Sequence, residues 1–436
     1  MSDADAVVIG AGAAGLSAAR SLADRSLRVV LLEARDRIGG RVWSRPVTRQ
    51  AVPAELGAEF IHGSAPRTMT LLREAGAAAI DIGGVAWVRG RNGKLVHEPD
   101  EFLDSAAILE RSRSLPKDES VEHFLRRFAK EPALLDTLAS ARMFVEGFEA
   151  ADPAIASVQA IADELLSGAD STSARPLGGY APVFDLLHRA CVDGGVELRL
   201  SSIVRRLIWR RGEVEVDTLN AGGDVETIRA RVAVVTLPIG VLKHRGDDDE
   251  VVFEPELPAQ KRVALDSLEM GHVVKIALWF RTPFWERITD GRYRDAAFFR
   301  IDGGSIGVYW TQVPVRSEMI VAWTGGPRAV ALNRLSADER TQRALDELRH
   351  LLGAATGEEF ESALTHDWSD DRFSRGAYSY VAVGGGNARA VLGEPVDATL
   401  FFAGEATSTD GQGGTVNGAL ESGDRAAAEA ARVLRG

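Results

Sequence analysis

Two sets of residues in this chain have the types and spacing to do chemistry. The first is Gly10-Ala11-Gly12-Ala13-Ala14-Gly15, which follows the apolar run Val7-Val8-Ile9 and opens a helix-like stretch over 16–23. A second apolar run, Val29-Val30-Leu31-Leu32, then ends at Glu33. Strand, glycine turn, helix, strand and acid in that order suit a dinucleotide. Gly10 permits the tight turn, Gly12 admits a pyrophosphate to the backbone, and Gly15 lets helix and strand approach. The helix start around Ala14 offers unpaired N–H groups, and Glu33 can accept from a ribose. A glycine turn in an ordinary strand–helix–strand unit is the plainer alternative. The second set is one lysine, Lys275, among Val273, Val274, Ile276, Ala277 and Leu278. An ammonium in that company is costly to bury without a partner or a function. The alternative is an edge lysine whose head reaches water.

These residues need elements to hold them. At 436 residues the chain exceeds one usual core, and two domains are expected. Composition is that of a globular protein, 45% hydrophobic and 26% charged, with a net charge of −12 that argues against nucleic acid as a partner. Cys191 is the one cysteine, so no intrachain disulfide can form and a reducing, cytoplasmic setting is expected. The first strand begins too early for a signal peptide, and no apolar run approaches a membrane span. After the first 45 residues the pattern is mainly helical over 67–187. Alternation predicts strands over 196–204 and 214–218, and apolar runs predict buried strands over 232–237, 272–280, 319–323, 365–368 and 400–405. Helices are expected over 336–352 and 414–434, and Asp247-Asp248-Asp249-Glu250 reads as a solvated loop.

The segment Leu31-Leu32-Glu33-Ala34-Arg35-Asp36-Arg37-Ile38-Gly39-Gly40-Arg41-Val42 extends the fingerprint beyond a generic dinucleotide unit. It resembles the flavin-dependent amine oxidase family, which includes monoamine oxidases, polyamine oxidases and lysine-specific histone demethylases. Thr236-Leu237-Pro238-Ile239-Gly240-Val241-Leu242-Lys243 is similar to the family's central loop, and Val274 to Phe280 to its lysine strand. Trp368 to Ser379, Phe401 to Thr407, and Gly414-Thr415-Val416-Asn417-Gly418-Ala419 are similar to its C-terminal flavin motifs. The resemblance implies an α/β fold: an FAD-binding Rossmann-like domain (1–78, 177–263 and 372–436) with an interleaved α+β substrate-binding domain (79–176 and 264–371).

It also implies non-covalent FAD, because Ala377 stands where monoamine oxidases carry the cysteine that bonds to the flavin. Gly10, Gly12, Ala14, Gly15, Glu33, Ala34, Gly40, Pro238, Trp368 and Gly404 match cofactor positions. Arg35 and Arg41 match positions near the pyrophosphate and ribityl, Val204 a strand residue at the adenine, and Glu405 the ribityl or pyrophosphate region. Thr415 and Val416 match positions at the pyrimidine edge, where a helix N-terminus can stabilise negative charge on a reduced flavin. Lys275 matches the lysine that holds a water near flavin N5 and assists reoxidation by O2. His62 matches a histidine beside the substrate amine in animal polyamine oxidases, and Tyr378 an aromatic channel wall. Thr415 replaces the second tyrosine of monoamine oxidases. Glu149, with Glu146 nearby, loosely resembles an acid that meets a distal ammonium. Structural alternatives stand beside these roles: a hydrogen-bonded core histidine for His62, core packing for Tyr378 and Trp368, surface charge for Arg35 and Arg41, and helix-surface carboxylates for Glu146 and Glu149.

The expected activity is oxidation of a small-molecule amine, polyamine-like or extended, to an imine, with O2 reduced to H2O2. No metal, nucleic acid or membrane partner is expected, and the chain would act as a monomer or homodimer. An L-amino acid oxidase would want an arginine after Gly57-Ala58, where Glu59 stands. A desaturase relative would lack Lys275 with these C-terminal motifs, and a chromatin-associated binding protein would need added docking regions.

Overall fold

The computed structural model describes residues 3–48, 52–89, 93–97, 101–166, 173–301 and 303–436. Two large sheets organise it. In the first, strand Ala4–Ile9 lies between Val29–Leu32 and Val225–Val235, parallel to both. Leu400–Phe402 adds in parallel beside Val225–Val235, and Glu197–Arg199 beside Val29–Leu32. An antiparallel meander, Ile203–Arg210 and Glu213–Leu219, joins this set through Val225–Val235. The central strands are apolar at nearly every position because both faces are covered, as in parallel sheets generally. Helices Ala13–Ala23, Ala181–Asp193 and Val416–Arg435 pack on one face, sharing a core that includes Val8, Leu16, Leu31, Phe184 and Leu420.

Two glycines allow that packing. A Cβ on Gly15 would sit 1.7 Å from the Gly10 carbonyl oxygen, and one on Gly423 would sit 2.2 Å from that of Ala14. The first glycine lets the helix lie on the phosphate-type turn, and the second lets the C-terminal helix lie on the first.

The second sheet runs Phe360–Thr365, Val273–Phe280, Met319–Gly325, Val308–Trp310, Ala296–Ile301, Val85–Arg89, Leu95–His97. All eight residues of Val273–Phe280 are buried. Alternation splits its faces. Val274, Ile276, Leu278 and Phe280 join a core with Phe299, Tyr309 and Leu348. Ala277 and Trp279 face the other way, against Ala54, Leu56 and Trp310. Lys275 belongs to that second face, which looks towards the segment that follows the dinucleotide unit.

Several local expectations change. The stretch 67–187 is less helical than its composition suggests, since it supplies Ala79–Asp81, Val85–Arg89, Leu95–His97 and Ser173–Pro176 to sheets. These strands are too short to show a period, and Gly83-Gly84 breaks between two of them. The run 196–204 is two strands interrupted at Ser201, whose φ is 52°. The strand expected at 365–368 is instead Phe360–Thr365. The chain then turns inward, so that Trp368 Nε1 donates to the Leu56 carbonyl at 2.8 Å.

Gly15→Ala should lower the melting temperature by the equivalent of about 1–3 kcal/mol, the usual cost of forcing atoms into a packed contact. Gly83→Ala, where an added Cβ meets nothing within 4 Å, should melt within about 0.5 kcal/mol of the parent. Equal melting of the two variants would remove the close-approach argument.

Candidate active site

A single continuous cavity of about 600 Å³ runs from the first sheet's C-terminal strand ends to the inner face of the second sheet. Gly10, Gly12, Ala14, Glu33, Ala34, Arg35, Gly40, Arg41, Val204, Pro238, Gly404, Glu405, Thr415 and Val416 line one part of it. Gly15 lies beneath the turn rather than on the wall. Lys275, His62, Glu149, Trp368 and Tyr378 line the rest.

At the dinucleotide-type end, charged side chains hold loops. Glu33 accepts from the Ala11 and Arg35 amides at 2.8 and 2.9 Å, one on each oxygen. Its burial pushes its pKa up. Arg35 donates to Asp371 at 2.6 Å and to Ser374 at 2.9 Å, fastening residues 371–374 over the cavity. Arg41 donates to Glu405 and to the Ala377 carbonyl, each at 2.8 Å. Glu405 is buried and also accepts from Ser379 Oγ at 2.6 Å and the Gly414 amide at 3.1 Å. Arg35 and Arg41 are therefore committed to carboxylates, not surface charges. Asp249 corrects the solvated-loop reading of 247–250. It lines the cavity and accepts from Arg372, from Arg375 at 3.1 Å and from Arg205 at 3.4 Å. Asp247 and Asp248 stay exposed, as expected.

Thr415 is the N-cap of helix Val416–Arg435. Its hydroxyl accepts from the Gly418 amide at 3.0 Å and donates to the Gln412 carbonyl at 2.9 Å. That hydroxyl orients the helix start, whose first amides and dipole are aimed into the cavity wall.

The reactive-looking end centres on Lys275. Its Nζ lies 2.7 Å from Glu59 Oε2 and donates to the Gly57 carbonyl at 3.0 Å. Glu59 in turn lies 3.0 Å from Arg175 Nε and accepts from Trp310 Nε1 at 2.9 Å and from Gln312 at 3.3 Å. All three charged residues are under 9% exposed. Burial opposes the charge on Glu59, but Lys275 and Arg175 outweigh it and hold its carboxyl below the usual range. Sequence reasoning used Glu59 only as the absence of an arginine and did not single out Arg175. A carboxylate in the apolar run 56–61 was the available signal.

His62 Nδ1 lies 3.2 Å from Ser173 Oγ, with its ring edge-on to Phe148 at 5.0 Å. Burial pushes its pKa down to about 4, so the imidazole is neutral at ordinary pH. Tyr378 donates its hydroxyl to the Phe148 carbonyl at 2.5 Å, and Trp323 Nε1 donates to the Gly147 carbonyl at 2.9 Å. Both aromatic walls are thus tied to the end of helix Leu135–Gly147. Of the two neighbouring carboxylates, Glu149 reaches the cavity. Glu146 turns away to Arg142 and Arg328 at 2.9 and 3.1 Å. Arg300, which the sequence did not single out, also lines the cavity, with its guanidinium 5.8 Å from the Phe298 ring centre.

The chain matches the model of the flavin containing amine oxidoreductases over residues 13–431. It belongs to that family. It is 30% identical to "Polyamine oxidase 3" of Oryza sativa subsp. japonica, over 97% of this chain and 88% of that protein. It is 29% identical to "Lysine-specific histone demethylase 1 homolog 2" of the same species, over 99% of this chain but 57% of that longer protein. Among solved structures it resembles cyclohexylamine oxidase from Brevibacterium oxydans IH-35A, with a TM-score of 0.83 at 22% identity and full coverage of both chains. That likeness is one of fold.

The flavin the family implies fits what the cavity offers. Gly12 presents backbone to open space, where a Cβ would meet only Gly40 at 3.9 Å. Two helix starts converge on the wall, and Glu33 keeps free lone pairs beside it. Among the described residues, no group of three or more His, Cys, Asp or Glu could hold a metal ion, and no helix is long and apolar enough to cross a membrane.

Glu55, on the segment leading to Glu59, gives a pH test. It is buried, accepts from Ser44 Oγ at 2.6 Å and the Tyr180 amide at 2.8 Å, and its pKa is pushed up to about 7, chiefly by burial. The folded chain keeps this proton after the unfolded chain has lost it. The resulting stability is full below about pH 4.5 and lost as pH rises through 7, amounting to about 3 kcal/mol. Chemical denaturation of the parent and of Glu55→Gln across pH 4.5–8 should show this slope in the parent and its loss in the variant. Parallel curves would contradict the assignment.

Proposed function

We propose that this protein is an FAD-dependent oxidase that converts an amine to an imine. Water then hydrolyses the imine to an aldehyde and an amine or ammonia, and O2 is reduced to H2O2. FAD would supply the two-electron acceptor. The observation that carries this reading is the Lys275 ammonium, buried in the wall of the same cavity that Glu33, Gly12 and the start of helix Val416–Arg435 line. In this assignment residues 1–78, 177–263 and 372–436 hold the cofactor, and 79–176 and 264–371 hold the substrate. Ala377 offers no sulfur, so FAD is held without a covalent bond.

The chain's own residues do four things. The aromatic walls, including Phe148, Trp323 and Tyr378, exclude water and give a cationic amine π faces to cross. The neutral His62 adds no like charge beside that amine, and with Nδ1 tied to Ser173, its Nε2 is left to meet a ligand. Lys275 supplies positive charge where negative charge must be stabilised. Glu149 is placed to attract a second ammonium, which favours a polyamine-like or extended amine. Arg300 favours a second reading, an amine that also carries a carboxylate.

Purified protein should be yellow and release its FAD on denaturation. A peroxide-coupled screen should respond to putrescine, spermidine, spermine or aromatic monoamines, and activity confined to L-amino acids would favour the Arg300 reading. Lys275→Met should bind FAD but slow reoxidation by O2 by about one to two orders of magnitude, as expected for loss of a charge-stabilising donor. Glu149→Gln should raise KM for diamines by about tenfold or more, the scale of one hydrogen bond to a charged group, and leave monoamines nearly unchanged. An equal effect on both substrate classes would remove Glu149 from recognition.

A further inference from the structure

Resting on the flavin oxidase reading, the geometry assigns a role to Glu59 and Arg175. An ammonium has three N–H donors. Two of those on Lys275 are directed to Glu59 Oε2 and to the Gly57 carbonyl, acceptors two residues apart on one segment. The third has no protein acceptor among the described residues, and Lys275 lines the cavity.

Glu59 is itself fixed. Trp310 Nε1 and Gln312 Nε2 donate to its Oε1, and Arg175 Nε lies 3.0 Å from the same oxygen. Arg175 is anchored further by bonds to the Thr311 and Val313 carbonyls at 3.1 and 3.3 Å. A lone lysine–glutamate pair would be electrically neutral. With Arg175 on the far oxygen, two cations share one carboxylate and the cluster keeps one net positive charge. We propose that Glu59 is a positioning residue that turns the single remaining N–H of Lys275 into the flavin cavity, and that Arg175 keeps the cluster cationic. The positive charge favours the anionic, reduced ring, and the aimed N–H assists its reaction with O2.

The test uses flavin-loaded Glu59→Gln, Glu59→Asp, Arg175→Gln and Lys275→Met proteins and the double variant Glu59→Gln/Lys275→Met. Measured are the flavin midpoint potential, the rate of flavin reduction by amine, and the rate of reoxidation by O2. Glu59→Gln removes a negative charge and should raise the potential. Arg175→Gln removes a positive charge and should lower it. Each should change the two-electron equilibrium by about tenfold, or about 30 mV.

Glu59→Gln should slow reoxidation about tenfold, more than it slows reduction. Glu59→Asp, which keeps the charge one methylene short, should recover part of that loss at an unshifted potential. The double variant should reoxidise no slower than Lys275→Met alone. Potentials that move in the same direction, or losses that multiply in the double variant, would mark Glu59 as merely structural and overturn the proposal. If Glu59→Gln does not fold, Arg175→Gln and Glu59→Asp still decide: a lowered potential in the first and an unshifted one in the second support it, and any other pair overturns it. Protein that binds no flavin, or flavin that no amine reduces, would overturn the oxidase reading and this proposal with it.

Discussion

The ion cluster of Lys275, Glu59 and Arg175 is the constraint around which the site is built. Three charges sit buried together, and both cations are tolerable because the Glu59 carboxylate lies within hydrogen-bonding distance of each. Removing one partner from such a group leaves an uncompensated buried charge and costs about 3–5 kcal/mol. The three residues come from three separate stretches: strand Val273–Phe280, the segment after Ala54–Glu55, and strand Ser173–Pro176. Their pairing therefore fixes the second sheet, the segment that follows the dinucleotide unit and strand Ser173–Pro176 against one another. It also explains why Trp310 and Gln312 turn polar atoms inward, since the carboxylate needs every donor it can reach.

The same economy governs the other end of the cavity. Glu33, Asp249, Asp371 and Glu405 each accept from backbone amides or arginines that belong to distant segments. Their charges shape loops into a cradle, and what the cradle presents inward is mainly backbone and glycine. A diphosphate-bearing ligand needs just that, because unpaired amides and helix dipoles neutralise it without the flexible side chains that would have to be ordered on binding. Arg35 and Arg41 are part of this cradle through their ion pairs with Asp371 and Glu405.

Much of this was legible in the sequence, and the reason differs by element. The glycine fingerprint and Glu33 are readable because their conformations are local: a turn, a helix start and a strand end within 33 residues. Lys275 stood out because one charge in an eight-residue buried strand breaks its pattern. Helix 336–352 was readable from its amphipathic face, and the structure adds a capping box between Ser336 and Glu339 at its start. Glu59 offered only one carboxylate in the apolar run 56–61 and Arg175 no signal at all, since their meaning is a contact across more than 100 positions of sequence. Asp249 was misread for the same reason: four acidic residues in a row look solvated until Arg205, Arg372 and Arg375 arrive from elsewhere. The short strands in 67–187 were missed because three to five residues cannot display a period.

The aromatic walls show how the Lys275 end of the cavity is kept rigid by the same rule of satisfied polar atoms. Trp310, Trp323, Trp368 and Tyr378 each end a large apolar face with one donor, and each donor has a fixed acceptor: Glu59, Gly147, Leu56 and Phe148. A buried ring with its N–H or O–H satisfied cannot swing without stranding that group. The walls nearest Lys275 therefore have one orientation, set by backbone carbonyls and by the ion cluster itself. Glu149 and Arg300 add charge of either sign to the wall of this cavity.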